Sequence, residues 1–302
     1  MDRQALRELV ARHAVQDGVS ETAIEGLRVF RISEPIERLP GIYPASMCCV
    51  VQGRKRSYLR DTAYTYDETR YLCASMPMPV EAEVPFATPD EPVLGVSLAL
   101  DTPAMAEMLV AYEAAARPYE ETAIKGLNLG MVLVEVDDGF LHALGRLLEL
   151  LDDPVALRVL ASSRLREVLF AIIEGEAGPL MRQTFGNSHD ITRALVHLRE
   201  NLHEPLSVDE LARKAGMSRA VFHRRFKAAT SFSPLQFIKA LRLSHAAMQI
   251  VGGKGVSQAA EAVGYTSPSQ FSREFRRQFG KSPRQWAKTA ALSAPDVQAA
   301  GA

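Results

Sequence analysis

Two groups of side chains in this sequence are suited to gripping an anion or a base edge rather than to breaking a bond. Arg219, Ala220, His223, Arg224 and Lys227 form one, and Ser269, Ser272, Arg273, Arg276 and Arg277 form the other. Guanidinium and imidazole groups donate to guanine acceptors and to phosphate, whereas serine hydroxyls are short, low-information partners. Each group recurs at helical intervals opposite a phenylalanine stripe, Phe222 and Phe226 in the first, Phe271, Phe275 and Phe279 in the second. One side of each helix is therefore apolar and the other polar. A charged helix face alone is usually just a solvated surface, so the assignment has to come from the elements that carry the two groups.

Those elements are copies of one another. Residues 206–237 read LSVDELARKAGMSRAVFHRRFKAATSFSPLQF, and about fifty residues later the chain reads GVSQAAEAVGYTSPSQFSREFRRQFGKSPRQW. At an offset of 49, Ser218, Phe222, Arg224, Phe226, Lys227, Ser233, Pro234 and Phe237 fall on Ser267, Phe271, Arg273, Phe275, Arg276, Ser282, Pro283 and Trp286. Upstream, Ala212 and Gly216 fall on Ala260 and Gly264 at an offset of 48, so the second copy carries one extra residue in its turn. Each copy spells two helices around a glycine turn. Ser207 with Glu210 predicts a capping box on the first helix, and Gly216 ends that helix. Ser218 predicts the next cap. In the second copy Ser267, Pro268 and Gln270 predict a capped helix with proline at its first position. Phe237, Ile238, Leu241, Ala246 and Ile250 lie at helical spacing over 234–250, which predicts one rigid helix joining the two heads.

A short helix, a glycine turn and an arginine-faced helix make the geometry that enters a DNA major groove. Charge agrees. Residues 191–290 hold 17 Lys and Arg against 6 Asp and Glu, a net of +11, which leaves −12 for the rest of a chain whose total is −1. Only the basic part attracts phosphate through counterion release, so double-stranded DNA is the expected partner of the C-terminal part alone.

The segment AEAVGYTSPSQFSREFRRQFGKSPRQW, with LARKAGMSRAVFHRRFK and KALRLSHAAMQI, resembles the DNA-binding domain of the AraC/XylS transcription regulators over about a hundred residues. The resemblance implies that two reading helices enter adjacent major-groove segments. It carries base-contacting roles onto Arg219, Ala220, His223 and Arg224, and onto Ser269, Ser272 and Arg273. Ala220 departs from the larger side chain often found there, so the first head is expected to read a thymine methyl or nothing at that point.

The first 190 residues are a different kind of polymer. Short β-rich runs, GLRVFRI, SMCCVVQ, RSYLR, AYTYD, RYLCAS and PVLGVSLAL, predict a small antiparallel barrel or sandwich, followed by helices over 103–116, 140–151 and 154–174. PGIYPASMCCVVQGRK, RYLCASMPMPVEAEV and SRLREVLFAIIEG resemble the cupin-like N-terminal domain of one AraC-type subgroup, more loosely than the C-terminal match. In relatives such a domain binds a small effector or pairs with another protomer. The fold class expected is thus multidomain α+β: a cupin-like barrel with flanking helices over 1–186, an all-α double helix-turn-helix domain over 187–290 and a tail over 291–302.

Metal-dependent barrel chemistry is not expected, and neither is any cofactor. Cupin metal sites use histidines and a carboxylate, and the seven histidines, His13, His142, His189, His197, His203, His223 and His245, leave residues 14–141 with none. Cys48, Cys49 and Cys73 fall in predicted strands, an odd number with no secretory signal ahead of them. A reducing cytoplasm and buried, inert thiols are the expectation, with a thiol sensor as the alternative. No apolar run reaches membrane-spanning length. Leu141, Leu144, Leu148 and Leu151 form a stripe that belongs either to the core or to a homodimer seam, and the family resemblance favours the seam.

The function read from the sequence is a sequence-specific transcription regulator, not an enzyme, controlled by an unknown small effector or by dimerisation, with RNA polymerase a candidate partner. The alternatives are a small-molecule-binding or catalytic cupin carrying an auxiliary DNA-binding module, and a structural DNA-binding protein without sequence preference.

Overall fold

The computed structural model describes residues 1–100, 103–115, 130–185 and 190–292. Helix α1 (Arg3–His13), capped by the Asp2 carboxylate, leads into a run of nine strands: β1 (Gly18–Glu21), β2 (Leu27–Ile32), β3 (Ile36–Tyr43), β4 (Ser46–Gln52), β5 (Arg54–Leu59), β6 (Thr62–Asp67), β7 (Arg70–Ala74), β8 (Met78–Val84) and β9 (Val93–Ala99). Helix α2 (Pro103–Ala115) and strand β10 (Met131–Glu135) follow, then α3 (Asp138–Glu149), a 3-10 turn (Leu150–Asp152), α4 (Pro154–Glu174) and α5 (Gly178–Phe185). The rest is helical: α6 (Asp190–Glu200), α7 (Val208–Lys214), α8 (Arg219–Thr230), α9 (Pro234–Val251), α10 (Val256–Ala262), α11 (Pro268–Phe279) and α12 (Pro283–Leu292).

The strands form one antiparallel sheet in the order β1-β2-β9-β4-β7-β6-β5-β8-β3, with β10 paired to β7. Strands β1 and β3 stand at its two ends, so the barrel expected from the sequence is a half-barrel. Its central strands are buried on both faces. In β4, Met47, Cys49 and Val51 point to the side covered by α1 to α5, whereas Cys48 and Val50 point into the concave side with Phe30, Tyr43 and Tyr66. Side chains alternate across a strand, so burial on both faces turns an alternating pattern into a continuous apolar run such as MCCVV.

The leucine stripe on α3, read from the sequence as core or dimer seam, packs inside this chain. Leu141, Leu144 and Leu148 are buried within this chain's own core, where α3 packs against α1 and α4, and Leu151 in the 3-10 turn packs against the same cluster. Intramolecular packing had first claim on them because α3 lies sandwiched rather than peripheral. What stays exposed is the first half of α4, with Val155 65%, Val159 69% and Leu160 36% exposed, and Phe170 nearer its end.

The first head is not a bead on a string. Leu195, Leu211, Phe222, Phe226 and Phe237 belong to the same apolar cluster as the concave face of the sheet, and α9 lies against β3 and β8. The second head has a cluster of its own, built from Leu243, Ala247, Ile250, Ala260, Phe271, Phe275 and Trp286. Helix α9 supplies both, its first half to one head and its second half to the other, as the predicted rigid linker requires. No described helix is long and apolar enough to cross a membrane.

Candidate nucleic-acid interface

In the first head α7 and α8 meet across a turn at Gly216, whose φ of 66° places it in the left-handed region. Glycine adopts that conformation without a Cβ clash. The turn closes with the Met217 amide donating to the Ala212 carbonyl at 2.9 Å. Ser207 Oγ accepts from the Glu210 amide at 3.1 Å, but the Glu210 carboxylate does not return to complete the predicted capping box. It lies 3.1 Å from His197 Nε2 on α6 instead. Ser218 occupies the cap position of α8 without a side-chain cap bond. Phe222 and Phe226 pack into the core with ring centroids 5.2 Å apart and planes tilted by 47°, and that burial fixes which side of α8 faces out. Arg219, Ala220, Arg224 and Lys227 are exposed and His223 is half-buried, so the five predicted residues share the outward side.

The second head repeats this plan. Gly264 has φ 83°, and the Tyr265 amide donates to the Ala260 carbonyl at 3.0 Å, the counterpart of the Met217 bond. Ser267 caps α11 by accepting from the Gln270 amide at 3.3 Å, with Pro268 in the first turn. Gln270 departs from the predicted capping box: its side-chain amide points along the helix to Glu274. Phe271 and Phe275 are buried and Phe279 half-buried against Trp286. Ser269, Arg273, Arg276 and Arg277 are exposed and Ser272 half-buried.

The two outward faces differ in their electrostatics. Arg219 lies 3.1 Å from the Asp209 carboxylate, and Arg225, which the sequence pattern did not single out, lies 3.6 Å from Asp190. Among the described residues no carboxylate lies within ion-pair range of Arg273, Arg276 or Arg277. The one acidic residue of α11, Glu274, is turned inward and is 8% exposed. Lys239 Nζ on α9 reaches Glu274 Oε1 at 2.9 Å, Tyr265 donates to Oε2 at 2.8 Å, and Gln270 lies 3.3 Å from Oε1. Burial pushes the Glu274 carboxyl up, but these three donors outweigh it and hold it below the ordinary glutamate range. Sequence spacing could not find this network, because its members come from three different elements.

Among the described residues no group of three or more His, Cys, Asp and Glu stands in an arrangement fit to hold a metal ion. What the site offers is hydrogen-bond donors and positive charge on two helices held by one linker, the means of binding a polyanion with readable edges.

Residues 23–180 match the family profile described as the AraC-type transcriptional regulator N-terminus, and residues 211–289 match a helix-turn-helix domain. The chain is 32% identical over 126 residues to the MmsAB operon regulatory protein of Pseudomonas aeruginosa, a match covering 41% of this chain and 39% of that protein. It is 34% identical over 85 residues to the regulatory protein SoxS of Escherichia coli, covering 28% of this chain and 79% of SoxS. The matched segment is thus well under half the length of the MmsAB regulator. Among solved structures, ToxT of Vibrio cholerae with a bound unsaturated fatty acid superposes with a TM-score of 0.53 over 89% of this chain and 96% of ToxT, at 11% identity, which is a likeness of fold.

Proposed function

The chain belongs to the AraC-type transcriptional regulators, and on that footing we propose that it binds one two-part DNA site, with α8 and α11 in successive major-groove segments and the N-terminal half setting the occupancy. The observation that carries this is the pair of outward arginine-bearing helices seated on opposite halves of one continuous helix, α9. Arg219, His223, Arg224 and Arg273 are assigned to base edges, with Ser269 and Ser272 as weaker readers. Lys227, Arg276 and Arg277 are assigned to phosphates. The working division of the chain is 1–186 for regulation and 187–290 for DNA.

A homodimer fits this function, since joined modules gain effective concentration. With Leu141, Leu144 and Leu148 enclosed, the surface assigned to it is the exposed half of α4 around Val155 and Val159. ToxT was crystallised with an unsaturated fatty acid; for this chain a small effector of the N-terminal half is the assigned control, RNA polymerase the downstream partner, and no catalytic step is invoked.

The test is binding of the full chain to a duplex selected from a random pool, across a salt series. Affinity should fall steeply with salt. Arg224→Ala and Arg273→Ala should each cost about 1–3 kcal/mol on the selected duplex and much less on random sequence. Equal losses on both duplexes would make these arginines phosphate anchors, and no preference for the selected duplex would overturn the proposal.

A further inference from the structure

The two heads touch each other directly as well as through α9, and the contact gathers on one stretch of chain. Arg242 on α9 donates through Nε to the Leu202 carbonyl at 2.8 Å and through Nη2 to the Glu204 carbonyl, just past the end of α6. Helix α6 is part of the first head: it carries His197, the partner of Glu210 on α7. On the other side of the same loop stands the turn of the second head. A methyl group built on Gly264 would come 2.5 Å from the His203 carbonyl oxygen and 3.3 Å from the Arg242 guanidinium carbon. The backbone of the second head therefore packs on the 202–204 loop as closely as a glycine allows.

The equivalent turn in the first head has no such neighbour. A methyl group on Gly216 would meet only the tip of Arg193, at 3.8 Å. The extra residue of the second copy lies in this turn, and Tyr265, which follows Gly264, joins it to the reading helix by its bond to Glu274. Lys239, three residues before Arg242 on α9, completes the link from the other side. One side of the linker thus holds the first head through Arg242 and the second through Lys239, with Tyr265 and Gly264 between.

We propose that Arg242, Tyr265 and Glu274 are positioning residues that lock the two reading helices at one spacing and one rotation, so that this chain discriminates DNA sites by the distance between their two parts as well as by their bases. The inference rests on the two-headed reading given above and adds what fixes the register. A linker helix alone can bend and twist, and each base pair inserted between two subsites rotates them about the duplex axis. A cross-braced pair of heads cannot follow that rotation and loses the second contact.

The experiment uses the full chain with a selected duplex and with versions carrying one, two or four extra base pairs between the two parts. For the unaltered protein, insertion should reduce affinity on the order of a hundredfold, the advantage of engaging both heads at once. Tyr265→Phe removes one oxygen and keeps the ring that packs on Phe271, and Arg242→Met keeps an unbranched apolar stem while removing the guanidinium. Each should weaken binding at the native spacing roughly tenfold, as expected for one lost buried hydrogen-bond partner, while shrinking the insertion penalty to a few-fold. Glu274→Gln should behave alike. Variants that lose affinity equally at every spacing would overturn the positioning role, as would an unaltered protein that tolerates the insertions. Absence of any preference for a two-part duplex would sink the two-headed reading itself, and this inference with it.

Discussion

The guanidinium of Arg60, in the turn between β5 and β6, donates to the carbonyl oxygen of Ser231, at the end of α8, at 2.7 Å. These are the two non-glycine residues of the described chain with positive φ, 56° and 63°. Arg60 also stands 5.3 Å over the Phe232 ring, so the half-barrel grips the first head where its reading helix stops. At the repeat offset of 49, the counterpart of Ser231 is Gly280, which caps α11 with φ 73° and has open space where a Cβ would stand. The same left-handed cap is thus made by glycine in one head and by serine in the other.

A side chain in the left-handed region costs about 1–2 kcal/mol, partly offset because glycine has more freedom to lose on folding. Ser231→Gly should therefore stabilise the protein by roughly 0.5–1 kcal/mol, and Gly280→Ser should destabilise it by a similar amount. Paired thermal melts read both. A destabilised Ser231→Gly protein would show that the hydroxyl, not the backbone, holds that position.

Cys48, Cys49 and Cys73 are fully enclosed, Cys48 on the concave side of the sheet and the other two under the helices. Burial raises all three thiols, Cys49 to about 12, helped by the neighbouring Cys48. The thiolate is the reactive form, so at pH 8 almost none is present in the folded protein. Alkylation at pH 8 should be slow until denaturant is added, after which three thiols should react. Rapid labelling of any one without denaturant would restore the redox-sensor alternative.

How much of this was legible in the sequence follows from how local each signal is. The repeat, the turn glycines and the outward arginines depend on neighbours within a turn or two, and Gly216 and Gly264 take the positive φ their places demanded. Strand β4 was likewise marked by its run of apolar residues. Strands β3 and β8 carry no such mark, because IERLPGIY and MPVEAEV hold prolines and charges within their paired spans. The α3 stripe was ambiguous for a different reason: a periodic apolar face records that something covers it, not whether the cover is the same chain. The Glu274 network needed residues from α9, the turn and α11 to be set side by side, which no spacing rule encodes.

That ambiguity on α3 can be settled by two substitutions with opposite expected effects. Leu144 is fully buried, so Leu144→Ala should cost about 2–5 kcal/mol of stability while leaving the association state of the folded protein unchanged. Val159, exposed on α4, should tolerate Val159→Asp with a stability change within about 0.5 kcal/mol, yet lose self-association if a second copy covers it. Melting temperatures paired with sedimentation of both variants decide the matter. Unchanged sedimentation of a dimeric Val159→Asp protein would move the seam off α4.

The paired turn glycines separate backbone strain from inter-head contact. Gly216→Ala and Gly264→Ala both place a Cβ in the left-handed region, so each carries a strain of about 1–2 kcal/mol. At Gly216 the added methyl faces only the flexible tip of Arg193, and nothing further is lost. At Gly264 it would stand 2.5 Å from the His203 carbonyl, a backbone atom of the first head, so either the turn or the 202–204 loop must move. Gly264→Ala should therefore be the more destabilising of the two by a further 1–3 kcal/mol, in the range of overpacking a tight site. It should also weaken binding to the two-part duplex when Gly216→Ala, matched for strain, does so less. Gly264→Val, with a β-branched side chain, should abolish DNA binding while the half-barrel stays folded. Equal melts and equal affinities for the two alanine variants would show that the heads do not press on one another at this point.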